Sequence, residues 1–172
     1  MLETLKKLLL ALQALLESLT NIVPPPAYEV PPSELPMNKD KADELYEAAF
    51  AALGTDPSKN GKAPQDRACA ESLSYVVRKV YKNFPIILST TNLNVHLDDS
   101  PEFKEIKTPI PGCISVFPTI GNKIGHTGIW GRKGWVMSNS SSNGLWEANY
   151  TEFGWKEEAR KRGLPIYYYK PV

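Results

Sequence analysis

The order of hydrophobic patterns along the chain predicts an α+β fold, with helices first and an antiparallel sheet after them. Three observations carry that prediction. Up to about Asn83 the apolar residues recur at helical spacing, whereas beyond Pro85 they collect into short runs punctuated by Pro, Gly and Asn. A length of 172 residues accommodates one catalytic-sized domain and roughly 40 to 60 residues of something else. With 42% hydrophobic and 23% charged residues, the chain has the composition of a globular protein and not of a disordered one.

The first element is an amphipathic helix over residues 1–23. Leu2, Leu5, Leu9, Leu12, Leu16, Leu19 and Val23 alternate steps of three and four, and Leu8, Leu15 and Ile22 widen the stripe at a third heptad position. Self-association through this helix, making a homo-oligomer, is the first reading and attachment to a membrane surface the second. A cleaved signal is the third, because Gln13 and Glu17 break the apolar run and no A-x-A site precedes the prolines. The run is too short to span a bilayer, which takes about 20 apolar residues. Residues 24–37 (PPPAYEVPPSELPM) follow as a stiff, Pro-rich linker, and residues 38–172 form the remaining domain.

Within that domain Asn38 or Asp40 can cap a helix running to about Leu53, with Gly54 as its terminator. A third helix is expected from Ala68 to about Asn83, on the spacing of Leu73, Val76, Val77 and Val80, with Asp66 as its cap and Pro85 behind it. Strands are expected at Gly112–Phe117, Gly125–Gly131, Trp135–Ser138 and Leu164–Tyr169.

Charge is unevenly spread. Residues 1–61 carry five Lys against nine acids, a balance of −4, and residues 62–172 carry 15 Lys and Arg against 10 acids, a balance of +5. Such a half suits an anionic partner but lacks the dense basic stripe of nucleic-acid readers, so nucleic acid is not expected as a partner. Two cysteines cannot staple a scaffold, and without CxxC or HxxxH spacing no metal or other cofactor is expected.

Cys69 lies in RACAESLSYVV, at the first turn of the expected third helix, where unpaired backbone N–H groups and the helix dipole favour a thiolate. A small buried apolar residue is the competing reading. His126, in GHTGIW, is flanked by glycines that let neighbouring backbone approach a strand closely, and it is the candidate general base for Cys69. His96, in NVHLDDSP, reads as an incidental residue of a polar loop. A third polar residue would hold the imidazole in its useful tautomer. Asn139, at the end of the following strand, leads for that role, with Ser138, Asn143 and Glu147 as rivals. Trp130, Trp135, Trp155 and Tyr150 are expected mainly in the core, and Trp146, which follows SNSSSNG, beside Ser138 in a substrate groove.

The succession ACAES, PGCISVFPT, GHTGIW and WVMSNSSSNGLWEANYT, closed by GW and an aromatic strand, resembles the CHAP (cysteine, histidine-dependent amidohydrolase/peptidase) group of papain-like cell-wall hydrolases, relatives of the NlpC-type peptidases. The match runs from about Leu53 to the C-terminus. The resemblance implies a papain-like core of helices packed on an antiparallel sheet, with Cys69 as nucleophile, His126 as base and Asn139 as the orienting residue. Members commonly carry an acid after Pro-Gly at the start of the first core strand, and here Cys113 stands there. A Cys69–Cys113 disulfide would block the nucleophile, and Cys113 is read as a strand residue.

The expected activity is hydrolysis of a peptidoglycan amide through an acyl-enzyme, without metal or cofactor. The expected setting is the cell envelope, the exterior or a phage particle. The rival is a catalytically inactive papain-like shell serving in wall binding or assembly.

Overall fold

The computed structural model describes residues 40–172, which belong to a unit beginning at Asn38. The helix expected over 1–23 and the linker over 24–37 lie outside the described residues. The first described helix, α1, is Lys41–Ala51. Asp40 caps it by accepting from the Ala42 amide at 3.3 Å. The same carboxylate accepts from Lys170 at 2.8 Å, and that hydrogen bond holds Asp40 below the ordinary carboxyl value. Leu45 and Ala49, one turn apart, are fully buried.

The helix α2 is Cys69–Val77, shorter than its apolar spacing suggested. Lys79 N–H and Val80 N–H bond back only three residues, and this tighter winding carries Tyr81 and Phe84 into the core. Asp66 does not cap α2. It sits in a short 3-10 turn, Gln65–Arg67, and the residue at the cap position is Ala68, with no side-chain bond. A further helix, α3 (Thr90–Asp99), replaces the polar loop expected around His96. The Ser89 hydroxyl caps it, Leu93 and Leu97 give it a buried face, and the His96 ring stands edge-on to Phe84 at 5.0 Å.

Six strands make one antiparallel sheet: β1 Phe103–Ile106, β2 Ile114–Phe117, β3 His126–Trp130, β4 Trp135–Asn139, β5 Trp146–Thr151 and β6 Tyr167–Pro171. Their order across the sheet is β1-β6-β2-β3-β4-β5. Residues of α1, α2 and α3 share a core with Ile114, Val116, Ile129, Met137 and Trp146 on one face. The last helix, α4 (Glu152–Arg162), covers the other face through Trp155 and Ala159, which meet Phe117, Trp130 and Val136. Both faces are therefore covered, and β2 and β3 are buried along their whole length, which is why they read as nearly unbroken apolar runs. The α+β class expected from the pattern is the class observed. Among the described residues, no helix is long and apolar enough to cross a membrane.

Candidate functional site

Cys69 is the first residue of α2 and His126 the first of β3. Both line one cleft of about 690 Å³, together with Asp66, Arg67, Tyr150 and Arg162. The thiol lies among the backbone N–H groups of Cys69, Ala70 and Thr127, the residue after His126. Helix start and strand start thus converge on the sulfur. Directly before His126, Gly125 lets the chain pass close to the end of β2: a Cβ there would stand 2.2 Å from the Phe117 carbonyl oxygen.

Three aromatic rings enclose the imidazole of His126. Trp155 lies 5.4 Å away between centroids, Tyr150 5.8 Å and Phe117 5.9 Å. Removal from water pushes the His126 pKa down to about 3, and the Arg162 charge pushes the same way. Burial also dominates at Cys69, whose thiol is pushed up to about 11 although the three N–H groups pull it down. The thiolate expected from the helix start is therefore not the resting form. Loss of hydration outweighs the helix terminus, and near neutral pH the pair rests as thiol and neutral imidazole.

The tautomer of that imidazole follows from its partners. His126 Nε2 lies 3.1 Å from Ser138 Oγ, and the one Ser138 proton is donated to Asn149 Oδ1 at 2.7 Å. Ser138 must then accept from Nε2–H, which leaves the lone pair on Nδ1 as the basic position. A β-bulge makes this relay. From Val136 to Ser138 the chain advances two residues, while the partner strand moves from Tyr150 to Glu147, three residues. Asn149 falls in the extra length.

Ser138, not Asn139, is thus the residue bonded to the ring. Neighbours on a strand face opposite sides, and Asn139 Oδ1 accepts instead from Ser72 Oγ of α2 at 3.0 Å. Ser72 is one turn beyond Cys69, so Asn139 fastens the helix that begins at Cys69 to the sheet. The rivals Asn143 and Glu147 bond each other at 2.8 Å. Trp146 is no groove residue: it is fully buried, in the core on the α1 side, and its Nε1–H donates to the Ala49 carbonyl at 3.0 Å. Ser138 is likewise fully buried behind the ring, where it meets His126 and not a substrate. Cys113 is a free, fully buried thiol directly before β2. Three residues that the sequence reading did not assign to the site belong to it: Asn149 through the bulge, Tyr150 beside the ring and Arg162 at the end of α4. None carries a local sequence signal for that place.

Ser138→Ala should lower the turnover of any reaction that uses the ring by roughly tenfold, the worth of one orienting hydrogen bond. The ¹⁵N shifts of His126 check the mechanism independently: they should move away from a single Nε2–H tautomer. Unchanged turnover and shifts would remove Ser138 from the site.

The segment leading to Cys69 is held by Glu71, whose side chain is almost wholly buried. Its two oxygens accept from the Lys62 and Ala63 amides, each at 2.8 Å. Gly61 passes so close that a Cβ would lie 2.5 Å from that carboxylate. Glu71→Ala strands both amides and should cost about 3 kcal/mol, lowering Tm by roughly 10 °C, whereas Glu71→Gln keeps one acceptor and should cost less. Thermal unfolding of the two variants measures this, and equal melting of Glu71→Ala and the parent would refute it.

No family model matches the chain, and no curated protein matches it significantly.

Proposed function

We propose that this protein is a cysteine amidohydrolase or peptidase of the CHAP-like, papain-like kind that cleaves an amide bond of peptidoglycan. One observation carries the reading: Cys69 and His126 share a cleft, with Nε2 of the ring tied to Ser138 and Nδ1 left as the basic position. The resemblance of the Cys69 and His126 segments to cell-wall hydrolases supports the choice of substrate.

The reaction would start from a neutral pair. As Sγ attacks the amide carbonyl, Nδ1 of His126 takes the thiol proton, so charge develops only in the transition state. The N–H groups that surround Sγ would receive the oxyanion. The imidazolium then passes its proton to the departing amine, leaving a thioester. Water, deprotonated by the same nitrogen, releases the acid and regenerates the thiol. Tyr150, Trp155 and Phe117 keep bulk water from the ring, which strengthens each of these electrostatic steps.

Incubation with purified peptidoglycan, followed by mass spectrometry of the soluble fragments, tests the proposal. New amine and carboxyl ends at one linkage are expected, and an unaltered polymer would overturn it. The elevated thiol favours a second reading, a papain-like shell without activity that binds the wall or assists assembly. In that case Cys69 would alkylate no faster than Cys113, which is fully buried.

A further inference from the structure

Arg162 closes α4 and enters the cleft beside the two candidate catalytic residues. It is held firmly. Nε and Nη2 donate to Glu158 Oε1 at 2.9 and 2.5 Å, and Nη1 donates to the Ile124 carbonyl at 2.8 Å. Its guanidinium carbon stands 5.7 Å over the Phe117 ring. A guanidinium has five N–H donors, so these three bonds leave one on each terminal nitrogen. The side chain is one-third exposed, enough for those donors to meet a ligand.

The electrostatic balance of the cleft points the same way. Among the described residues lining it, the only other charges are Asp66 and Arg67, which lie 3.7 Å apart and offset each other. Arg162 favours the thiolate at Cys69 and disfavours the imidazolium at His126, while its partner Glu158 acts in the opposite sense at Tyr150, on the same cleft. The rim bears Leu88 and Ile124, 47% and 61% exposed, which can receive apolar parts of a ligand.

We infer that Arg162 is a substrate-binding residue that takes a free carboxylate of the substrate close to the amide attacked by Cys69. The inference rests on the function proposed above and narrows it. The preferred substrates are peptides with an ionised carboxyl beside the scissile bond, and their carboxamide counterparts are poor ones. A planar carboxylate can accept from both remaining donors of the fork, while a carboxamide oxygen offers no charge to the guanidinium.

Alkylation tests this without reference to turnover. Cys69 is treated with iodoacetate, which carries a carboxylate, and with iodoacetamide, its neutral isostere, and the two rates are compared with those of free cysteine. The ratio of iodoacetate to iodoacetamide rates should exceed that of free cysteine by roughly tenfold. It should fall to the free-cysteine value in Arg162→Gln and stay partly raised in Arg162→Lys. Should Arg162→Gln fail to fold, the salt dependence of the unaltered protein decides, since raising ionic strength must bring its ratio toward that of free cysteine. A ratio equal to that of free cysteine at low salt would overturn the inference and leave the proposed function standing. A raised ratio that persists in Arg162→Gln would also overturn it. No alkylation of Cys69 by either reagent would overturn both.

Discussion

Cys69→Ser is expected to abolish wall hydrolysis, a loss on the order of 10⁴-fold or more, while the protein melts as before. Serine differs from cysteine at one atom, and the thiol sits where a hydroxyl fits without new contacts. A hydroxyl is, however, a far weaker nucleophile. The ring that must take its proton is already starved of basicity, with a pKa near 3 set by the aromatic enclosure. The thiol itself, pushed up to about 11, would react in the proposed mechanism only because proton transfer to Nδ1 accompanies attack. Replacing sulfur by a less acidic oxygen asks more of a base that has little to give. Fragment release from peptidoglycan by the folded variant is the measurement, and appreciable release would remove Cys69 from the chemistry. Alkylation of the unaltered protein supplies the companion result. Its rate should climb from pH 7 through 9 toward 11, as the thiol titrates.

Cys69 and His126 were legible because each opens an element whose local sequence announces it, a helix in one case and a glycine-flanked strand in the other. The third position was not. Ser138 and Asn139 are adjacent, and which of them faces the ring depends on strand register, a property of pairing and not of the segment itself. The bulge that brings Asn149 behind Ser138 is equally silent, because it arises from a one-residue mismatch between two strands. Trp146 shows the opposite error. A polar run before it suggested a groove, but its partner across the sheet is Asn139, and both face α1 and α2. The helix α4 was overlooked since Trp155 and Ala159 are its only buried residues. Its signature was electrostatic and available: Glu152–Lys156 and Glu158–Arg162 are four apart, and Gly163 ends it with φ of 62°. The α+β class survived these local errors because it needs only the change of period near Pro85.

His126→Ala is expected to reduce turnover on the order of 10²- to 10⁴-fold, the usual contribution of a positioned acid–base group. It should also change the pH dependence of stability in a defined window. His126 is neutral in the fold down to about pH 3, but an unfolded histidine binds its proton near 6.5. Between those values the unfolded chain therefore holds the extra proton, and stability falls as pH is lowered through 6.5 toward 3. The carboxyls held low, Asp40 and Glu157, draw on ordinary values of 3.8 and 4.5 and lose their contribution below those. The decline expected from His126 between pH 6.5 and about 4.5 therefore lies above the range of those two carboxyls. The alanine variant loses ring packing at every pH, so its Tm is lower throughout, but its curve over this window should be nearly flat where that of the parent slopes. Thermal unfolding at half-unit pH intervals reads both effects. A parallel slope in the variant would show that the ring is not buried in the neutral form, and with it the neutral-pair mechanism would fall.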